Sequence, residues 1–328
     1  MKPDRWVCAV NKVALLVICL FTLSSCAVGQ HSDNSAHHSN VNAAASSDMV
    51  ETQEWAKARL AKSPRHQEWV KVKNGNREVN SFVVYPEVKT KATAVVVIHE
   101  IFGMADWVQS VADQLAEAGY VAIAPDLLSG MGPSGGGTSS FTERNAIGQA
   151  IRDLPPDQIT ADLNAVVDYV SKLPASNGKV AVGGFCWGGG QTFRYATNNP
   201  NIKASFVFYG PTPSTAEGPD KAALERIKAP VYGFYAGNDA RINAALPKTT
   251  ELMKELGKTF DVLIYEGAGH GFMRAGEAPE PKAPEAKGEA EADKKAAEEY
   301  QKALTAYKAN KKARDEAWLR WKKILEKI

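Results

Sequence analysis

The sequence predicts an α/β domain: a mostly parallel central sheet with helices on both faces, followed by a C-terminal charged helical arm. Three observations carry this. Apolar runs with strand character alternate with helical patterns from Ala94 to Tyr265, as expected of parallel strands joined by crossover helices. The run Ala94-Val95-Val96-Val97-Ile98 is apolar throughout, the mark of a strand covered on both faces. After Gly276 the composition shifts to Ala, Glu, Lys and Pro, which favours helix once the prolines end.

Composition bounds the function. The 328 residues carry 39 Lys+Arg against 37 Asp+Glu, a net charge of +2, with 44% hydrophobic and 23% charged residues. That is globular composition, too apolar for a wholly disordered chain. No clustered basic surface argues for nucleic acid as a partner.

The first residues read as an export signal. Lys2, Arg5 and Lys12 precede the apolar run Val13 to Leu23, a positive region followed by a core too short to span a bilayer. The run ends Leu23-Ser24-Ser25-Cys26, which resembles the lipobox of bacterial lipoproteins. Residues 1–25 are therefore expected to be a signal peptide and Cys26 the lipidated residue. Lipid chains would anchor the chain in the cell envelope; the alternative is a soluble secreted or periplasmic protein. Removal of the signal leaves a net charge near zero. It also leaves Cys186 as the one thiol outside the lipidation site, so no intrachain disulfide can form.

The elements follow in order. Residues 26–62 read as a Ser-, Asn-, Ala- and His-rich tether ending in a short helix with Trp55 and Leu60. Residues 63–276 read as the folded domain. Its first two strands, Trp69 to Lys73 and Glu78 to Tyr85, flank an Asn74-Gly75 turn. Strand Ala94 to Ile98 leads to a helix over Trp107 to Ala118, closed by Gly119, and a strand over Tyr120 to Ala124. Helical segments near Thr142 to Asp153 and Gln158 to Leu173 precede the strand Lys179 to Phe185 and the helix Gly188 to Thr197. Further strands are expected at Ala204 to Tyr209, Val231 to Tyr235 and Phe260 to Tyr265. Residues 277–316 read as a Pro-rich linker and solvated arm. Lys311 and Arg314 interrupt the apolar stripe, so a separate terminal amphipathic helix is expected over 317–328, with Trp318, Trp321, Leu325 and Ile328 on one face.

Three loops carry the chemistry. Gly184-Phe185-Cys186-Trp187-Gly188 sits between a strand and a helix, the pattern of a nucleophile elbow with sulfur in place of hydroxyl. A helix N-terminus favours thiolate, and the Trp187 N–H would face a developing oxyanion. Gly237-Asn238-Asp239 and Gly269-His270-Gly271 each follow a later strand. Nucleophile, acid, histidine is the order of α/β-hydrolases. His270 would then be the base and Asp239 the residue that fixes its tautomer. Glu100, at the end of a buried strand, needs a partner or a proton; a structural salt bridge is the alternative to a catalytic role. The Gly-rich stretch Gly130 to Gly137 lacks the Gly-Lys-Ser/Thr ending of a phosphate loop.

These residues resemble the dienelactone hydrolases (carboxymethylenebutenolidases). The resemblance spans about residues 69–276 and rests on Ile98-His99-Glu100-Ile101-Phe102-Gly103, Ser176-Asn177-Gly178-Lys179-Val180, the cysteine elbow, and the Asp239 and His270 loops. It implies that Glu100 helps to generate the thiolate when substrate binds, and that the Ile101 N–H joins that of Trp187 in the oxyanion hole. It also implies that two arginines hold a substrate carboxylate. Arg274 fits one, four residues after the histidine; Arg144 fits the other, by its spacing to Asp162. Members of that family look cytosolic and compact, whereas this chain carries an export signal and an extra arm. His99 stands where some members have Gln, and Trp187 where Leu is common.

The expected function is hydrolysis of a lactone or carboxylic ester through Cys186, His270 and Asp239, with no metal or organic cofactor. The expected partners are a small-molecule substrate and, through the lipid, a membrane; a monomer is favoured. A broader esterase, thioesterase or acyltransferase on the same triad remains open. So does a non-enzymatic envelope protein on a hydrolase scaffold.

Overall fold

The computed structural model describes residues 53–328, which belong to one compact unit. The signal, Cys26 and most of the tether lie outside the described residues. The elements run α1 (Glu54–Lys62), β1 (Gln67–Asn74), β2 (Arg77–Val84), β3 (Ala92–Ile98), α2 (Asp106–Glu117), β4 (Val121–Pro125), α3 (Arg144–Arg152), α4 (Pro156–Ser171), β5 (Ser176–Phe185), α5 (Trp187–Ala196) and β6 (Ser205–Phe208). A two-residue pair β7 (Ser214–Thr215) and β8 (Gly218–Pro219) follows. Then come α6 (Lys221–Glu225), β9 (Val231–Ala236), α7 (Ala240–Asn243), α8 (Leu246–Glu255), β10 (Phe260–Tyr265), α9 (Phe272–Ala275) and α10 (Ala290–Leu325).

Eight strands form the main sheet in the order β1-β2-β4-β3-β5-β6-β9-β10. The β1–β2 and β2–β4 pairings are antiparallel; the others are parallel. The α/β-hydrolase architecture expected from the sequence is present. Strand β3 shows why its sequence lacks a polar face. Ala94, Val96 and Ile98 belong to the core cluster that also holds residues of α3 and α4, while Val95 and Val97 belong to the one that holds residues of α2 and α10. Both faces are dry, so both are apolar.

The C-terminal region differs from expectation. The arm and the terminal helix are one helix, α10, of 36 residues. Lys311 and Arg314 do not interrupt it, because the buried stripe is Ala313, Ala317, Trp321 and Leu325. Spacing by four keeps these on one face. Two of the four are alanines, too small to stand out in an Ala/Lys/Glu-rich stretch. Trp321 is fully buried and packs against Phe185, Phe206 and Phe208 beneath the sheet. Toward its N-terminus the helix is largely exposed.

Candidate active site

The strand ends gather the chemistry. Glu100 follows β3, Cys186 follows β5, Tyr209 follows β6, Asp239 follows β9 and His270 follows β10. These strands are neighbours and parallel, so their carboxyl ends lie along one edge.

Cys186 sits between β5 and α5 with φ +54° and ψ −117°, a backbone conformation that costs energy for any side chain. The turn is possible because two glycines flank it. A Cβ on Gly184 would overlap the Gly188 main chain, and one on Gly188 would overlap the carbonyls of Ile98 and His99. The two glycines of the elbow pattern therefore have a direct steric cause.

The environment of the sulfur is mixed. Burial raises the Cys186 thiol, and Glu100 raises it further, to about 11. The N–H groups of Trp187 and Ile101 act the other way and favour thiolate, as does the charge of Arg241. The two amides anticipated as oxyanion donors thus lie together at the sulfur. Arg241 was not anticipated; nothing in its spacing singles it out.

His270 and Asp239 form a direct pair, with Nδ1 2.5 Å from Oδ2. Asp239 is also the cap of α7, where Oδ1 accepts from the Ile242 N–H at 3.4 Å. One carboxylate therefore starts a helix and holds the imidazole at Nδ1. The ring of His270 meets Tyr209 edge-on, with centroids 5.1 Å apart.

Glu100 is 3% exposed and has two partners. Arg274 Nε donates to Oε2 at 2.9 Å, and the Tyr209 hydroxyl donates to Oε1 at 3.3 Å. Tyr209 is fully buried, and burial together with Glu100 keeps its hydroxyl protonated. It links the carboxylate to the imidazole, a role no sequence pattern signalled. Both arginines reach Phe102: Arg144 lies 4.2 Å and Arg274 5.2 Å from its ring centroid. Asp162, whose spacing suggested Arg144, instead binds Arg77 at 2.9 Å and Asn74 at 2.8 Å. It fastens the first hairpin and takes no part in the site.

His99 has a structural place. It is fully buried, which lowers its pKa and keeps it neutral. Nδ1–H donates to the Glu100 carbonyl at 2.8 Å, and Nε2 accepts from the Leu127 N–H at 3.3 Å. Its ring stacks on Trp187 at 5.4 Å, so it braces the elbow from below. The Gly-rich loop is tied to Asp126, whose carboxylate accepts from the Thr138 N–H and hydroxyl at 2.8 Å.

Among the described residues no group of three or more His, Cys, Asp or Glu is placed to hold a metal ion. Among the same residues no helix is long and apolar enough to cross a membrane.

Comparison with known proteins decides the family. Residues 79–328 match the dienelactone hydrolase family. The chain belongs to the dienelactone hydrolase family. A Methylorubrum extorquens protein, provisionally named carboxymethylenebutenolidase, is 33% identical over 186 residues; the match covers 54% of this chain and 62% of that protein. A Yersinia pestis protein with the same provisional name is 30% identical over 203 residues, covering 60% of this chain and 74% of its own length. The chain thus spans somewhat under two thirds of the first of these relatives. Two crystal structures share the fold. One is a provisionally assigned dienelactone hydrolase of Klebsiella pneumoniae, with a TM-score of 0.57 and 23% identity over 74% of this chain and 98% of that one. The other is a dienelactone hydrolase-like promiscuous phosphotriesterase from metagenomic libraries, with a TM-score of 0.58 and 19% identity over 80% of this chain and 98% of that one. The hydrolase class expected from the sequence is that of the dienelactone hydrolase family.

Proposed function

We propose that this dienelactone hydrolase family member cleaves a lactone or carboxylic ester bearing an anionic group, with Cys186 as nucleophile. One observation supports this above the others. A strained cysteine, flanked by two backbone N–H donors, stands on the same sheet edge as a histidine held 2.5 Å from an aspartate.

In this reading the free site rests with a protonated thiol, since burial and Glu100 both oppose the thiolate. A substrate carboxylate competes for Arg274 and draws it away from Glu100. Glu100 then takes the thiol proton and passes it to His270. The thiolate attacks the carbonyl carbon, and the oxyanion meets the Ile101 and Trp187 N–H groups. The C–O bond breaks as His270 protonates the leaving oxygen, leaving a thioester. His270 next takes a proton from water, the hydroxide attacks the thioester, and the sulfur leaves and recovers its proton from the imidazolium. Arg144 and Arg274, aligned on Phe102, suit a carboxylate through paired N–H donors.

The test is a panel of carboxylated lactones and neutral p-nitrophenyl esters, given to the wild type and Cys186→Ala. Loss of hydrolysis in the variant, with a preference for the carboxylated compounds, is expected. A preference for neutral esters would favour the broader esterase. Undiminished turnover by Cys186→Ala would overturn the mechanism. An unreactive Cys186 thiol and no hydrolysis at all would favour a binding protein.

Cys26 is read here as lipidated, which assigns the chain to the cell envelope. Metabolic labelling with a radioactive fatty acid, lost in Cys26→Ser, tests this.

A further inference from the structure

The loop that carries His270 is suspended between two elements. From one side Asn238 holds it: its backbone N–H donates to the Ala268 carbonyl at 2.9 Å and its side chain to the Gly267 carbonyl at 2.9 Å. From the other side Asn310 of α10 holds it, with Oδ1 accepting from the Gly269 N–H at 2.8 Å. Gly269 immediately precedes the imidazole-bearing residue.

The position of Asn310 is set by packing. It lies three residues before Ala313, the first of the four buried residues that seat α10 on the core. Around it the helix touches both ends of the loop. The Ala309 Cβ is 3.6 Å from where a Gly267 Cβ would stand, and a Cβ on Gly276 would overlap the Asn310 main chain. Arg314, one turn on, pairs with Glu277 at 3.7 Å, and Glu277 also accepts from Trp107 Nε1 at 3.0 Å. The helix that reads in the sequence as a solvated arm is therefore docked against the histidine loop through residues 309–314.

We propose that Asn310 is a positioning residue for His270, making α10 part of the working site. This rests on the reading of His270 as base. Two groups hold the imidazole directly: Asp239 fixes Nδ1 and Tyr209 covers one edge. Neither fixes the backbone that sets the height of the ring above the sheet edge. The Asn310–Gly269 hydrogen bond does. Without it the Gly269 N–H loses its acceptor and the loop can shift, and a displacement on the scale of an ångström costs on the order of 100-fold in rate.

The experiment compares full-length Asn310→Leu, which removes the acceptor at similar volume, with Asn310→Asp, which keeps an acceptor oxygen. It reads kcat and KM on the best ester of the panel, Tm, and the proton NMR signal of the His270 Nδ1–H shared with Asp239. The expected result is a kcat lower by about 10- to 100-fold in Asn310→Leu, with KM and Tm little changed and the Nδ1–H signal shifted or broadened. Asn310→Asp should stay close to wild type. Wild-type kcat and an unaltered Nδ1–H signal in Asn310→Leu would overturn the proposal. So would equal loss in Asn310→Asp, which would mean that packing and not the acceptor matters. Should Asn310→Leu fail to fold, Asn310→Ala takes its place. Should the wild type hydrolyse none of the esters, the hydrolase reading fails, and the Nδ1–H signal alone decides whether Asn310 positions the imidazole.

Discussion

Arg274 and Glu100 form an ion pair of 2.9 Å inside the candidate site. The carboxylate is almost wholly buried and the guanidinium about three-quarters so. Removing one partner of such a pair leaves a charge without compensation. Arg274→Gln is expected to lower stability by about 2 kcal/mol, less than for a fully buried pair because the arginine is partly solvated. Urea denaturation measures this. The double variant with Glu100→Gln should recover most of the loss, since it removes the stranded charge. A single variant as stable as the wild type would refute the argument.

The thiol supplies a pH prediction. Its folded-state titration lies near 11, above its ordinary value of 9.0. A group raised in this way contributes stability that is complete below the ordinary value and lost as pH rises through the folded one. Stability should therefore fall between about pH 9 and pH 11, and Cys186→Ala should flatten that fall. Denaturant midpoints at a series of pH values read it out.

Glu100 is the charged neighbour that raises the thiol. In Glu100→Gln, with no substrate present, iodoacetamide should alkylate Cys186 about threefold faster or more at pH 8, because more thiolate is available. Mass spectrometry of the labelled peptide follows the rate. Equal or slower labelling would mean that Glu100 does not act on the sulfur through its charge.

Trp321 is a test of the fold. It is fully buried among three aromatic rings below the elbow strand. Trp321→Ala should cost about 3–5 kcal/mol, as large-to-small changes in aromatic cores do. A loss below about 1 kcal/mol would mean that the helix is not seated there.

Much of the architecture was legible because burial on two faces writes itself into the sequence. Strands β3, β4 and β5 were readable from apolar runs ending in Gly, Pro or polar turns. The elbow was readable because Gly184 and Gly188 have steric causes within five residues of each other. Elements held by distant contacts were not. The continuity of α10 depends on Ala313 and Ala317, whose burial is set by the opposing sheet and not by their own hydrophobicity. Tyr209 and Arg241 reach the site through the sheet edge alone, and Asp162 met a partner 85 residues away. Spacing along a helix could not reveal that partner.

The two glycines that make room for the elbow also limit what can be altered there. With backbone pressed against backbone at Gly184 and Gly188, no side chain can be introduced without dismantling the turn. Any retuning of selectivity, natural or engineered, is thereby channelled outward, to side chains beyond the turn such as Phe102 and the Arg144 guanidinium 4.2 Å from its ring centroid.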